Sequence, residues 1–372
     1  GNKAYAINLS ADDQVTDDPE VTTVAGSGSQ CTSNCDHTTG TLAGFYSPWG
    51  ITTDGTNLYV VEITKHRIRK IVISTGAVTT LAGTGSSGAI NSAVGTPSFY
   101  QPRGITTDGT NLYVADTQNS RIRKIVISTG VVTTFAGSSA GYLDHTTGTS
   151  AKFNRPFGIT TDGTNLYVAD SVNQRIRKIV ISTGAVTTLA GTGSACNSNI
   201  STGCDNPTGT SASFNVPYGI TTDGTNLYVA DTENHRIRKI VISTGAVTTL
   251  AGDGSQGLGD HTTGTSATFT YPHGITTDGT NLYVTDTNNH RIRKIVISTG
   301  VVTTLAGSST GYTDNATGTT AQFAKPMGIT TNGTNLYVAD HFNQRIRKIA
   351  LRGTVTTDVA MHNLDDDTDV TV

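Results

Sequence analysis

A ten-residue phrase, ITTDGTNLYV, recurs six times in this chain. It begins at Ile51, Ile105, Ile159, Ile220, Ile275 and Ile329, with Asn332 replacing the Asp in the last copy. Successive starts lie 54, 54, 61, 55 and 54 residues apart. A period of that length holds one supersecondary unit, and such units bury their apolar faces by stacking on one another.

The stretch from Gly104 to Gly137 shows what one unit contains. GITT is a short β-branched run closed by the turn cluster Asp-Gly-Thr-Asn. LYVA follows, then RIRKIVI, then VVTTFA, each bounded by Gly, Ser, Thr, Asn or Asp. No window carries a 3.6-residue apolar period, so almost no helix is expected. Four short antiparallel strands joined by tight turns, repeated at this spacing, describe one blade of a β-propeller. Six copies predict an all-β, six-bladed propeller of four-stranded antiparallel blades.

The phrase LYVADTxNxRIRKI, followed by GxVTTLAG and AxFxxPxG, resembles the NHL-repeat β-propellers over about Val21 to Ala360. The resemblance implies a six-bladed disc with a central channel. That family includes protein- and RNA-binding platforms as well as metal-dependent lyases and lactonases, so it does not choose a function.

The expected organisation is an N-terminal extension at 1–20, a propeller at 21–360 and an acidic tail at 361–372. VTTVAG at Val21–Gly26 matches the fourth strand of a blade without the three strands that should precede it. It is expected to close the ring by completing blade six. A further fourth-strand phrase, TVTTDVA, follows the sixth RIRKIAL. Seven such phrases serve six positions, and the C-terminal copy, which lacks the LAG ending, is the surplus one. Its residues Thr354, Val355, Thr356, Thr357 and Val359 are expected either to pack on their own blade or to pair with a neighbouring molecule, because an unpaired strand seeks a partner.

Charge excludes some partners. The net charge is −3, and charged residues make up only 14% of the chain. RIRK supplies eighteen of the 25 basic residues, yet each unit also carries an acid closing its second strand: Glu62, Asp116, Asp170, Asp231, Asp286 and Asp340. Five units add another in the first turn, at Asp54, Asp108, Asp162, Asp223 and Asp278. An acid five residues before an Arg, across a tight turn, is placed to cap the turn and pair with that Arg. Balanced charge weakens a nucleic-acid reading, and the sequence has no apolar run of ~18 residues to span a membrane.

Cys31 and Cys35 precede blade one, while Cys196 and Cys204 precede blade four. Those blades oppose each other across the ring, beyond the ~7 Å Cα limit for a disulfide. Two local disulfides, Cys31 with Cys35 and Cys196 with Cys204, are expected, which favours an oxidising compartment. The first residue is Gly rather than Met, so either a leader segment has been removed or the sequence is a trimmed one, and removal is the expectation. The near-identity of the repeats points to a bacterial secreted or cell-surface protein.

Comparison among the repeats isolates what varies. Phe45, Phe99, Phe153, Phe214, Phe269 and Phe323 are constant and are expected to form core between blades. The residue between the Pro and Gly that open each blade differs every time: Trp49, Arg103, Phe157, Tyr218, His273 and Met327. These six are expected to ring one mouth of the channel, with Tyr46, Tyr100 and Tyr271 adding aromatic surface, and to form a binding site. His66, His235 and His290 recur in one turn, and His37, His145 and His261 in DHTTGT loops, in both cases spread over separate blades. No catalytic constellation converges, and no resident cofactor is expected. Calcium could be held by Asp36, Asp144 and Asp260 with loop carbonyls, although one carboxylate per loop is few. The expected function is a non-enzymatic extracellular interaction and structural propeller whose partner is a protein, either copies of itself or another surface protein. It would act by strand addition at a blade edge and contacts at the mouth; the alternative is a metal-dependent lyase or lactonase acting at the channel.

Overall fold

The computed structural model describes residues 18–32, 35–92, 96–196 and 204–351. The surplus phrase at 354–360 and the tail at 361–372 lie outside the described residues, as does most of the N-terminal extension. Six four-stranded sheets are arranged as a propeller. Helix among the described residues is confined to three-residue 3-10 turns.

β1 (Val21–Ala25) comes first in the chain, but blade one is formed by β2 (Pro48–Thr53), β3 (Asn57–Glu62), β4 (Arg67–Val72) and β5 (Val78–Ala82), hydrogen-bonded in that order. β3 and β4 pair without interruption, from Asn57 opposite Val72 to Glu62 opposite Arg67. The register slips once between Pro48 and Ile51, and again between Ile68 and Arg69. These bulges add local twist, which lets flat strands fan into a blade. Blade six takes three strands from the C-terminal end of the ring, Pro326–Thr331, Asn335–Asp340 and Arg345–Ala350, and β1 as its fourth. Val21 lies opposite Ile349 and Thr23 opposite Arg347. All six fourth-strand positions are therefore filled.

The core lies between blades. Leu58 and Val60 of β3 pack against Tyr337, Ala339 and Ile346 of blade six. Tyr59 and Val61, pointing the other way, pack against Ile105, Leu112 and Val114 of blade two. A strand buried on both faces reads as a continuous apolar run rather than an alternation, which is why LYVA carries no polar residue. The constant Phe residues are completely buried at these seams, each contributing on the order of 2–3 kcal/mol.

In five blades the first turn is closed by its Asp. In blade two, Asp108 Oδ1 accepts from the backbone N–H groups of Thr110 and Asn111, at 2.9 and 2.6 Å. Its Oδ2 accepts from Asn111 Nδ2 and from the Tyr113 hydroxyl, at 3.0 and 3.1 Å. Burial raises carboxyls in this setting, but the bonds from Asn111 and the other donors outweigh it and hold the group below its ordinary value. The same balance holds at Asp54, Asp162, Asp223 and Asp278. In blade six the geometry is looser: Asn332 Oδ1 lies 2.9 Å from Asn335 N, and its Nδ2 donates to the Tyr337 hydroxyl at 3.4 Å. An amide cannot accept the tyrosine proton and the side-chain amide together as a carboxylate does.

Asn332→Asp should therefore stabilise the fold by about 1 kcal/mol at neutral pH, the net value of one added charge-assisted bond, read as a higher denaturant midpoint at unchanged slope. Because the folded carboxyl titrates below the unfolded one, the gain is present above the ordinary Asp pKa of ~3.9 and disappears as pH falls through the folded value. A gain that survives below that window would assign the effect to something other than the carboxylate.

Candidate functional site

Inner strands of neighbouring blades approach each other through the Gly of Pro-x-Gly. A Cβ on Gly50 would collide with the Arg103 carbonyl oxygen, and the contact recurs around the ring to Gly328 against Trp49. The residue before each Pro takes a positive φ, between 46° and 57° at Ser47, Gln101, Arg155, Val216, Tyr271 and Lys325. Left-handed backbone is costly for a β-branched residue such as Val216. A side chain from the preceding blade holds it there: Val216 N–H donates to Gln174 Oε1 at 2.6 Å. Ser47 N–H is held likewise by Gln344, and the N–H groups of Gln101, Tyr271 and Lys325 by Nδ1 of His66, His235 and His290, at 3.1 to 3.2 Å. These histidines are staples between blades, not metal ligands, and burial holds them below their ordinary pKa.

The acid at the end of each second strand pairs with a different Arg from the one five residues on. Asp116 Oδ2 receives Arg123 Nη1, seven residues away, at 2.9 Å. Asp170 with Arg177, Asp231 with Arg238, Asp286 with Arg293 and Asp340 with Arg347 repeat this at 2.8 to 2.9 Å. Only Glu62, one methylene longer, spans both Arg67 and Arg69. The nearer Arg reaches toward the following loop, as Arg121 does toward the Ser138 carbonyl, while the farther one is wholly buried and, in blade two, lies over the constant Phe99. Its free edge reaches the long loop, where Arg177 meets Asp144, Arg293 meets Asp260 and Arg69 meets Asp36. The carboxylates considered for calcium are thus already committed to guanidinium groups. In the same loops, Nδ1 of His37, His145 and His261 accepts the N–H two residues on, at 2.9 Å, closing the turn. Among the described residues no group of three or more His, Cys, Asp or Glu is placed to share a metal.

The loops also cover the blade edges. In blade three the outer-strand N–H groups of Val186 and Thr188 donate to the His145 carbonyl and Asp144 Oδ2. Gly191 N–H donates to the Gly209 carbonyl. Strand addition at a blade edge, expected from the sequence, therefore meets donors that are already satisfied. Disulfides join Cys31 to Cys35 and Cys196 to Cys204, with Cα atoms 5.8 and 6.0 Å apart.

Trp49, Arg103, Phe157, Tyr218, His273 and Met327 line one cavity of ≈ 90 Å³, together with the Gly and Ile that follow each of them. They do not stand apart as a ring around an open pore. The Arg103 guanidinium lies between the rings of Trp49 and Phe157, 4.6 and 4.4 Å from their centroids. Phe157 stacks on Tyr218 at 4.2 Å, Tyr218 meets the edge of His273 at 4.6 Å, and Trp49 reaches His273 at 6.3 Å. The mouth is lined by aromatic side chains in contact with one another and with the one cation among them.

Reading Pro-x-Gly alone misses His341, Arg155, Lys325 and Glu233. His341 occupies the position filled by Thr117, Ser171, Thr232 and Thr287, whose hydroxyls bond the next blade's Pro carbonyl. Its Nδ1 meets the Pro48 carbonyl at 3.1 Å, and its ring stands edge-on to Trp49 at 5.0 Å. The same comparison among repeats, extended to this position, would have exposed it.

Residues 269–295 match the NHL repeat family. The chain is an NHL-repeat propeller. Human NHL repeat-containing protein 2 is 30% identical over 293 residues, covering 70% of this chain and 40% of the relative. The NHL chain spans less than half the length of the curated relatives it matches. Among solved structures, an auxiliary nutrient binding protein from Bacteroides ovatus aligns with a TM-score of 0.65 at 17% identity, over 90% of this chain and 76% of that one. A virginiamycin B lyase from Staphylococcus aureus aligns with a TM-score of 0.51 at 16% identity, over 89% and 99%. At such identities the likeness is one of fold. No helix among the described residues is long and apolar enough to cross a membrane.

His273 and His341 are both pushed down to about 4, first by burial and then by nearby cations, Arg103 among them. Each Nδ1 faces a backbone carbonyl, of Tyr271 and Pro48 respectively. Nδ1 therefore carries the proton of the neutral ring. An unfolded His binds its proton at pH ~6.5, so the unfolded state holds more protons between that value and about 4, and stability must fall as pH falls through this window. Thermal melts across it should show a decline that becomes shallower in His273→Gln/His341→Gln, the remainder coming from His66, His235 and His290; an equal decline in that variant would remove the two rings as a cause.

Proposed function

We propose that this NHL propeller is a non-catalytic, extracellular interaction protein that works by surface contact at the channel mouth and assembles with copies of itself. One observation carries this reading. The blades' acids and histidines are consumed in repeated structural bonds, while the side chains that differ from blade to blade gather on one face. Around the aromatic layer, Tyr100, Val172 and Phe342 are 43, 43 and 58% exposed. The Lys325 ammonium lies over the Phe342 ring at 5.3 Å. Aromatic and cationic groups around a buried centre match the composition of protein-binding hot spots. Two disulfides favour an oxidising location.

Assembly rests on a separate observation. Every fourth-strand position of the ring is filled, with β1 in blade six, and the chain still carries TVTTDVA at 354–360. Since edge donors are satisfied by the loops, the phrase would enter a neighbouring ring by exchange, taking the place of β1 there, in the manner of a domain swap.

Light scattering on the full chain should show concentration-dependent oligomers, and a chain ending at Leu351 should be monomeric. In parallel, Phe342→Asp should abolish contacts made through the mouth face while leaving that oligomerisation intact. A full chain that stays monomeric at all concentrations removes the exchange; oligomers that persist in the shortened chain place the contact elsewhere.

A further inference from the structure

Arg103 differs in what it lacks from the six inner arginines of the third strands. The wholly buried Arg69, Arg123, Arg177, Arg238, Arg293 and Arg347 each hold a carboxylate within 3.0 Å. Arg103 takes part in none of the ion pairs among the described residues. Burying a guanidinium without a counter-charge is expensive, several kcal/mol in general. Two aromatic faces offset part of that. They cover the two planes of the guanidinium and leave its in-plane N–H groups with the Tyr218 hydroxyl but no carboxylate, and a planar fork of donors is the shape that a carboxylate fits.

The neighbouring charges point the same way. Arg155 acts on Arg103 with the same sign, and Lys325 adds to the positive field felt by His273 and His341. Glu233 is felt at Tyr218, but it forms no pair with Arg103. The Tyr218 hydroxyl lies beside the guanidinium and interacts with it, giving a second group able to donate to an anion. Both imidazoles give their Nδ1 proton to a backbone carbonyl, and burial together with the neighbouring cations keeps them neutral, so neither adds a second cation at neutral pH.

We propose that the channel mouth is a carboxylate-binding site in which Arg103 receives the acid group edge-on, Tyr218 donates a further bond, and Trp49 and Phe157 flank an apolar or ring-bearing stem. This deepens the reading of the mouth as a binding surface and rests on it. The one cation inside the layer suits a carboxylate, whereas a phosphate would bring more oxygens than Arg103 and Tyr218 can serve with donors. The cavity of ≈ 90 Å³ admits a carboxylate and the beginning of its stem, so the acid could belong to a free small molecule or to the end of a peptide.

Calorimetric titration of the full chain with benzoate, benzamide and inorganic phosphate tests this. Benzoate should bind, benzamide should not, and phosphate should bind more weakly than benzoate. Arg103→Met should weaken benzoate by at least ~10-fold, as loss of a charge-assisted pair requires. The melting temperature completes the test: benzoate should raise that of the wild type, whereas Arg103→Met without ligand should melt no lower than the wild type and be indifferent to benzoate. A peptide ending in a free carboxylate compared with its C-terminal amide separates the two sources of the acid group. The proposal fails if benzoate and benzamide bind alike, if phosphate is preferred, if nothing binds, or if Arg103→Met keeps full benzoate affinity. It also fails if Arg103→Met melts well below the wild type with no benzoate effect on either, since Arg103 would then be a stacking element alone. Should that variant not fold, the acid-against-amide comparison on the wild type decides. The oligomer measurements do not depend on any of these outcomes.

Discussion

Each blade is held to its long loop by one guanidinium taken completely out of water. In blade three, Arg177 lies against Phe153 and donates to Asp170, Asp144 and the carbonyls of Lys152 and Leu143. One side chain thus ties the second strand, the third strand and two separate points of the preceding loop. A buried ion pair is weak evidence for net stability, because desolvating both charges offsets most of their attraction. Its strength is in discrimination. Removing either partner leaves a bare charge in the interior, a loss of about 3–5 kcal/mol, so only the register that brings Arg, acid and loop together is tolerated. For a chain with six near-identical units, where a strand could pair with the wrong copy at little apolar cost, that discrimination matters more than the pair's net energy.

The same pairs set what the surface can do. Because the inner arginines and their aspartates neutralise each other inside the disc, that Arg of each basic phrase contributes no outward field. Because each loop aspartate also receives an outer-strand N–H, the blades present satisfied edges, which is how a propeller limits edge-to-edge aggregation. What is left free to vary is the inner end of each blade. There the Gly of Pro-x-Gly allows the backbones to meet, and the preceding side chain is projected into the channel. The mouth is therefore where difference between repeats accumulates, and its chemistry is aromatic and cationic.

His273 and His341 show how that layer constrains its members. Each imidazole spends one nitrogen on a carbonyl of the closing ring and lies against Trp49. Burial among aromatic faces and beside Arg103 keeps both rings neutral. A second cation is thus excluded from the layer at neutral pH, and Arg103 remains its single charge among the six Pro-x-Gly side chains.

The periodicity by itself determined the number of blades, the four strands of each and the constant Phe seam, because a strand buried on both faces must be written as an unbroken apolar run. Comparison of the six copies also picked out the mouth residues, since a position that changes while its neighbours stay constant is visible without any structure. Which Arg each acid would choose was not legible. Asp116 and Arg121 face each other across the ladder, and only three-dimensional burial shows that the inner Arg123, two residues further along the same face, is the one cut off from water and in need of the carboxylate. Nor could spacing reveal that the DHTTGT aspartates serve those same arginines, some 33 residues away in Arg177 and Asp144, or that the mouth side chains collapse across the channel into a layer. The first two outcomes depend on burial within a blade and its own loop, where desolvation decides among partners that the local pattern leaves equivalent; the last depends on closing the ring, which brings side chains of blades distant in sequence within a few ångströms.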